Sequence, residues 1–233
     1  MSTTFHNRVG RPDLGLGVTV VEGLLSGPAP AALADELARA VERRGTVVLG
    51  PEEEAVRQAC RDVLRNGKYQ PVGRGKPASE YLLRAAGDGT FPTVNGPVDA
   101  NNLVSLDALV PISVWDLELA GTRELELRLG RAGERYVFNP SGQVLDLEDL
   151  VCGCGLYPDG RSQPMVTPVK DGLATKIRLE SRSVAGCIYY PLKAGGADRL
   201  REVTGALYRW LLACGDRTTG AMGVVLPGES VSL

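Results

Sequence analysis

The stretch SEYLLRAAGDGTFPTVNGPVDANNLVSLDALVPISVWDLELA, residues 79–120, decides where helices can run and where the chain turns to strand. Ser79 stands where a cap would open a short helix, SEYLLRAA at 79–86. The following GDGTFPTVNGP carries too many glycines and prolines for regular structure and reads as a loop. In VDANNLVSLDAL, residues 98–109, Val98, Leu103, Leu106 and Leu109 fall on one helical face. Soon after residue 110 the texture changes. ELELRL at 124–129 alternates strictly, so Leu125, Leu127 and Leu129 face a core while Glu124, Glu126 and Arg128 face water.

Upstream, the β-branched run VTVVEGLL at 18–25 reads as a strand, followed by a helix over about Pro30–Arg44 that places Leu33, Leu37 and Val41 together. TVVL at 46–49 reads as a second strand. Pro51 with Glu52, Glu53 and Glu54 opens another helix, proline in its first turn and anions at the positive end of the dipole, ending near Asn66-Gly67. KYQPVGRGKPA at 68–78 is irregular. Downstream, strand signals continue through RYVF, QVLDL, LVCGCGLY, TKIRLE (175–180) and AGCIYYPL, and a closing helix spans about Ala197–Ala213. The order predicts an α+β fold in which segregated helices cover the sheet. Residues 1–17 are expected to be a flexible N-terminus and 18–233 a single domain.

Composition narrows the chemistry. The one histidine, His6, sits in the Gly/Pro-punctuated start, badly placed for a histidine-ligated metal or a Ser-His-Asp triad. The five cysteines, at 60, 152, 154, 187 and 214, have neither a disulfide-framework nor a zinc spacing and read as reduced, buried thiols. No metal and no cofactor is expected. The N-terminus is not a secretory signal and no apolar run reaches the roughly 20 residues of a membrane helix, so a cytoplasmic protein with no membrane partner is expected. A net charge of −2 supplies no global attraction to nucleic acid.

Three local features remain. Between residues 57 and 84 lie seven cations, among them Arg57, Arg61, Arg65, Lys68, Arg74 and Lys76, against only Asp62 and Glu80. Arg57, Arg61 and Arg65 share a helical face that could follow a phosphate backbone, or simply meet water. VNGPVDANNL gathers Asn95, Asp99, Asn101 and Asn102; capping accounts for one or two of these and leaves a pair of amides to hold a polar ligand or a water. DGLATKI offers Asp171, Thr175 and Lys176 as an anion or hydroxyl site. GRGK at 73–76 has no phosphate-loop spacing, and no serine lies in a nucleophile elbow.

Residues 79–135 resemble the B3/B4 domain of the bacterial phenylalanyl-tRNA synthetase β chain, and more closely its free-standing B3/4-domain relatives. The likeness rests on Val98, Asp99, Asn102, Pro111, Val114, Trp115 and Asp116, followed by a strand-turn-strand with Gly133-Glu134 at the turn, and extends over about 57–213. It implies a three-layer β/β/α core, with N- and C-terminal helices covering the sheet. In that family the domain edits mischarged tRNA, so the resemblance implies a tRNA-associated protein that hydrolyses a mischarged aminoacyl ester in trans. A non-catalytic module that binds tRNA or an amino acid is the alternative. The family's pocket asparagine falls on Asn102, its neighbouring threonine on Asn101, its histidine on Ser113, and its tyrosine-reading glutamate near Gly186. The last change removes the acceptor for a tyrosine hydroxyl. By this likeness Asn101, Asn102 and Ser113 are the expected catalytic residues and Asp99, Asp171, Thr175 and Lys176 bind substrate. Arg57, Arg61, Arg65, Lys68, Arg74 and Lys76 would hold the 3′ end and acceptor stem.

Overall fold

The computed structural model describes residues 2–233. Its strands are β1 (Thr4–Asn7), β2 (Leu14–Glu22), β3 (Ile112–Asp116), β4 (Glu124–Leu129), β5 (Arg135–Val137) and β6 (Val144–Asp146). Then follow β7 (Val151–Leu156), β8 (Ser162–Val166), β9 (Ser183–Pro191), β10 (Thr219–Val225) and β11 (Ser230–Ser232). The helices are α1 (Ala31–Thr46), α2 (Pro51–Leu64), α3 (Ala78–Gly87), α4 (Gly96–Ala108), α5 (Leu117–Ala120) and α6 (Gly196–Leu212).

The fold is α+β, in three layers. An outer sheet runs β11-β1-β4-β7-β8 and a central sheet β10-β2-β9-β3; only β1 and β4 pair in parallel. Phe5, Leu16, Val18, Trp115, Leu125, Leu127 and Tyr189 fill the space between the two sheets. On the other face of the central sheet Leu33, Leu37, Leu103, Leu106, Ile188, Leu200 and Leu207 join α1, α4 and α6 to it. Burying each such side chain is worth about 1.5–3 kcal/mol, and alternation along β2 sends successive residues to the two cores. Contact with α6 explains two glycines, Gly15 and Gly17, the latter with no room for a Cβ beside Thr204 Oγ1. A Cβ at Gly15 would stand 2.7 Å from Leu192 Cδ2 and 2.8 Å from Leu200 Cδ2, so α6 rides directly on the bare strand.

Five expectations need correction. Glu126 and Arg128 do not face water but are 5% and 8% exposed, because β4 lies inside the outer sheet, where Glu126 accepts from Ser162 Oγ at 2.5 Å and Arg8 at 2.9 Å and Arg128 is held by Glu134 at 2.7 Å. The N-terminal stretch is not flexible: residues 4–7 are paired on both sides within the outer sheet, because Phe5 is wholly buried between the sheets. TVVL at 46–49 is no strand but the connection between α1 and α2, with Val48 91% exposed and no edge to join. TKIRLE at 175–180 is a 3-10 turn (Leu173–Thr175) and loop that crosses the molecule to supply site residues. Ser79 lies inside α3, whose N-cap position is Pro77. The strands β3, β8, β10 and β11 carried no separate signal: β3 is uniformly buried, β8 and β10 are mixed with Pro or Gly, and β11 is three residues long.

Candidate functional site

α4 is the helix that everything else surrounds. Asn95 is its N-cap, the side-chain oxygen accepting from Val98 N at 3.1 Å, and Leu109 ends it in a left-handed turn (φ +58°). Residues 96–97 and 99–106 are all buried, against α1, α3, α6 and β3. Two amides in the middle of such a helix are costly unless they are answered. Asn101 Nδ2 donates to Asn102 Oδ1 at 3.1 Å, whereas Asn101 Oδ1 is buried with no partner among the described residues.

Both asparagines line a cavity of about 450 Å³ together with Asp171, Lys176, Lys170, Tyr81 and the apolar Ile112, Val114, Val169 and Ile177. Asp171 is carried in by the segment after β8. Gly172 N donates to Met165 O at 2.8 Å, and a Cβ at Gly172 would meet that same carbonyl at 2.7 Å, which is why glycine follows the aspartate. Asp171 Oδ1 accepts from Ser113 Oγ at 2.7 Å and from Thr167 N at 3.2 Å. Burial pushes the carboxyl up to about 7, the two hydrogen bonds and the Lys176 ammonium opposing that rise. Such a carboxyl loses its proton near neutral pH.

Ser113 sits behind this carboxyl. It is wholly buried, with the Tyr189 hydroxyl at 3.1 Å and the Thr167 carbonyl at 3.2 Å. Burial holds the Tyr189 phenol far above its ordinary range, so it stays protonated and donates to Ser113 Oγ, leaving the serine proton for Asp171. Ser113, an expected catalytic group, does not itself line the cavity; its hydroxyl donates to the carboxyl that does. Gly186 does not line the cavity: a Cβ there would meet Thr19 Oγ1 at 2.6 Å, Leu207 Cδ2 at 3.2 Å and the cavity-lining Val114 Cγ1 at 3.4 Å.

Two further expected ligand residues part company. Asp99 points to the other side of the 91–95 loop, into a separate cavity, and its Oδ1 accepts from Val94 N at 2.9 Å. Thr175, 4% exposed with an unpartnered hydroxyl, lines a third cavity of about 410 Å³ beside Tyr136 and Arg178. Asp171 and Lys176 thus meet Asn101 and Asn102, whereas Asp99 and Thr175 do not.

The basic residues divide as well. Arg57, Arg61 and Lys76 line a groove of about 360 Å³ with Glu80, Tyr81 and Arg84; Arg65, Lys68 and Arg74 do not line it. Arg61 is held by both oxygens of Glu80, Arg57 by Glu54 at 2.6 Å, Arg65 by Asp62 at 2.6 Å and Lys68 by Glu148 at 2.8 Å. Arg74 and Lys76 have no ion pair among the described residues, and Arg74 is exposed. Tyr81 borders both groove and cavity, its hydroxyl donating to Gly73 O at 3.1 Å.

Sequence reading missed Tyr81, Thr167 and Tyr189. Tyr81 was hidden in a helix of ordinary amphipathic spacing, Thr167 acts through its backbone N–H, and Tyr189 is one of two adjacent tyrosines on a uniformly buried strand. The cysteines are all buried thiols, and His6 lies in β1, its Nδ1 2.6 Å from Ser230 Oγ and its Nε2 3.3 Å from Glu124. Among the described residues no helix is long and apolar enough to cross a membrane.

No protein-family model and no curated protein matches the chain. Among solved structures it is similar to an N-terminal fragment of the phenylalanyl-tRNA synthetase β-subunit from Pyrococcus horikoshii, at 10% identity and a TM-score of 0.40. The match covers 54% of this chain and spans 41% of that fragment.

Proposed function

We propose that the protein is a hydrolase for an aminoacyl ester at the 3′ end of a tRNA, with Asp171 as general base. The observation that carries this reading is the Asp171 carboxyl itself: half-buried, raised to about 7, and sharing a 450 Å³ cavity with the Asn101 and Asn102 amides. A base whose pKa matches the working pH combines a populated basic form with useful proton affinity. Asp171 takes a proton from a water as that water attacks the ester carbonyl. Asn102 and Lys176 donate to the oxygen on which negative charge develops, and the aspartate proton passes to the departing ribose oxygen. The apolar Ile112, Val114 and Val169 take the amino-acid side chain. The RNA part of the reading is supported by the resemblance of residues 79–135 and by the groove on the far side of Tyr81, where Lys76 carries no ion pair among the described residues.

The test is a deacylation panel in which tRNAs carrying their own and near-cognate amino acids are incubated with the protein and with Asp171→Asn. Hydrolysis of at least one ester by the wild type, lost in the variant, is the expected result. No hydrolysis above background for any pair, with tRNA still bound, would replace the enzyme by a binding module.

A further inference from the structure

A second cavity lies apart from the one that holds Asp171. About 600 Å³ in volume, it opens between α1 and the 91–95 loop and is walled by Leu37, Ala38, Val41, Phe91, Val94 and Leu179. A pocket of that size is in the range that encloses a small molecule. Its lining includes one charged side chain, Asp99. That carboxylate is 4% exposed and accepts one hydrogen bond, from Val94 N to Oδ1; Oδ2 has no partner and no cation stands against it among the described residues. Burial accordingly pushes the carboxyl upward, only the Val94 bond opposing it. A buried carboxylate without a counter-charge is a standing cost that a ligand cation can relieve.

We infer that this cavity is a second binding site, and that its ligand is a small amine on an apolar body: an ammonium placed at Asp99 Oδ2 and a branched or aromatic hydrocarbon against Leu37, Val41 and Phe91. Asp99 fixes the charge of the ligand, and the wall fixes its apolar part. A neutral alcohol of the same shape leaves the carboxylate unanswered, and a carboxylic acid is repelled. The site is independent of ester hydrolysis and shares with the Asp171 cavity only Val94.

The experiment is a titration of the full chain at pH 7 with 3-methylbutylamine and 2-phenylethylamine, and with the matching alcohols, followed by amide NMR shifts over residues 91–99. Each amine shifts the Val94 amide saturably and binds at least about tenfold tighter than its alcohol, a difference of about 1.4 kcal/mol. Asp99→Asn keeps an oxygen for the Val94 N–H and brings the amine down to the alcohol's affinity, and Asp171→Asn leaves amine binding unchanged. Should Asp99→Asn fail to fold, the amine and alcohol comparison on the wild type decides. Equal affinities of amine and alcohol, or amine binding that survives Asp99→Asn or is lost in Asp171→Asn, would overturn the assignment.

Discussion

Tyr81 separates two polar regions built on opposite plans. On one side, in the groove of α2 and α3, nearly every charge is answered: Arg61 by both oxygens of Glu80, Arg57 by Glu54, with Arg84 beside Asp88 at 3.2 Å. On the other side the polar atoms are left open. Asn101 Oδ1 is buried without a partner, Lys176 makes no ion pair among the described residues, and the Asp171 carboxyl is restrained only through Oδ1. Answered charges on a surface contribute little and are already spent as ligand contacts. Unanswered ones in a cavity cost stability and survive selection when they bind or react with something. Density of charge in the sequence pointed to the first region; lack of satisfaction in the structure points to the second.

The strongest way to break this contrast is Asp171→Asn. Turnover of a susceptible ester should fall by about a hundredfold or more, the contribution of a positioned base. Wild-type turnover should rise with pH through about 7 and level off above it, as the carboxyl deprotonates. Stability should move the opposite way. A carboxyl whose folded pKa lies above its unfolded value favours the folded state while protonated, and that support is lost between the unfolded value near 4 and the folded value near 7. Asp171→Asn should therefore melt higher than wild type at pH 8 and at the same temperature at pH 3.5. Thermal unfolding at the two pH values checks this, and a variant less stable at pH 8 would remove the cost assigned to Asp171.

Asn102→Ala comes next, with a loss of about a hundredfold in kcat if the amide meets the developing charge, and with a lower melting temperature because Asn101 Nδ2 is left buried without its acceptor. Steady-state kinetics beside circular dichroism separate the two effects. Ser113→Ala should cost less, about tenfold. Because the Ser113 hydroxyl lowers the Asp171 pKa, its removal should move the rise of the pH–rate curve to higher pH. An unshifted curve would return Ser113 to a purely packing role.

The parts of this arrangement that sequence could reach were those written in local pattern. The existence of β4 and the helix signals of α2 and α6 are each properties of a few neighbouring residues, whereas the burial of Glu126 and Arg128 on β4 depends on partners from distant segments. Asn101, Asn102, Asp171 and Lys176 could be nominated by type, and the cavity unites them. Direction was not legible. Asp99 and Asn102 stand three apart on one helix yet line different cavities, because the 91–95 loop passes between them. Ser113 shares β3 with the cavity-lining Ile112 and Val114 but faces the other way, as strand alternation demands once β3 is known to exist. The N-terminal strand was missed for a similar reason: Phe5 has value only beside the β4 residues it pairs with, more than a hundred positions later.

The smallest effects belong to the groove, and they test its half of the contrast. If its arginines are already occupied, Arg57→Ala should leave tRNA affinity within about twofold, as should Arg65→Ala just outside the groove, since an exposed pair contributes little beyond what its partner regains from water. Arg74 and Lys76 carry no such partner, so replacing both by alanine should weaken binding and flatten the dependence of log K on log salt by about 0.7 for each lost phosphate contact. Arg61 supplies the discriminating case. Breaking its two bonds leaves the Glu80 carboxylate, half-buried in the groove, facing any approaching phosphate. Arg61→Ala should thus reduce affinity more through repulsion than through a missing contact, and Arg61→Ala with Glu80→Gln should recover most of the loss. Binding isotherms at three salt concentrations resolve the outcomes. If the double variant is as weak as Arg61→Ala alone, Arg61 contacts RNA directly, and the groove is as open as the cavity on the other side of Tyr81.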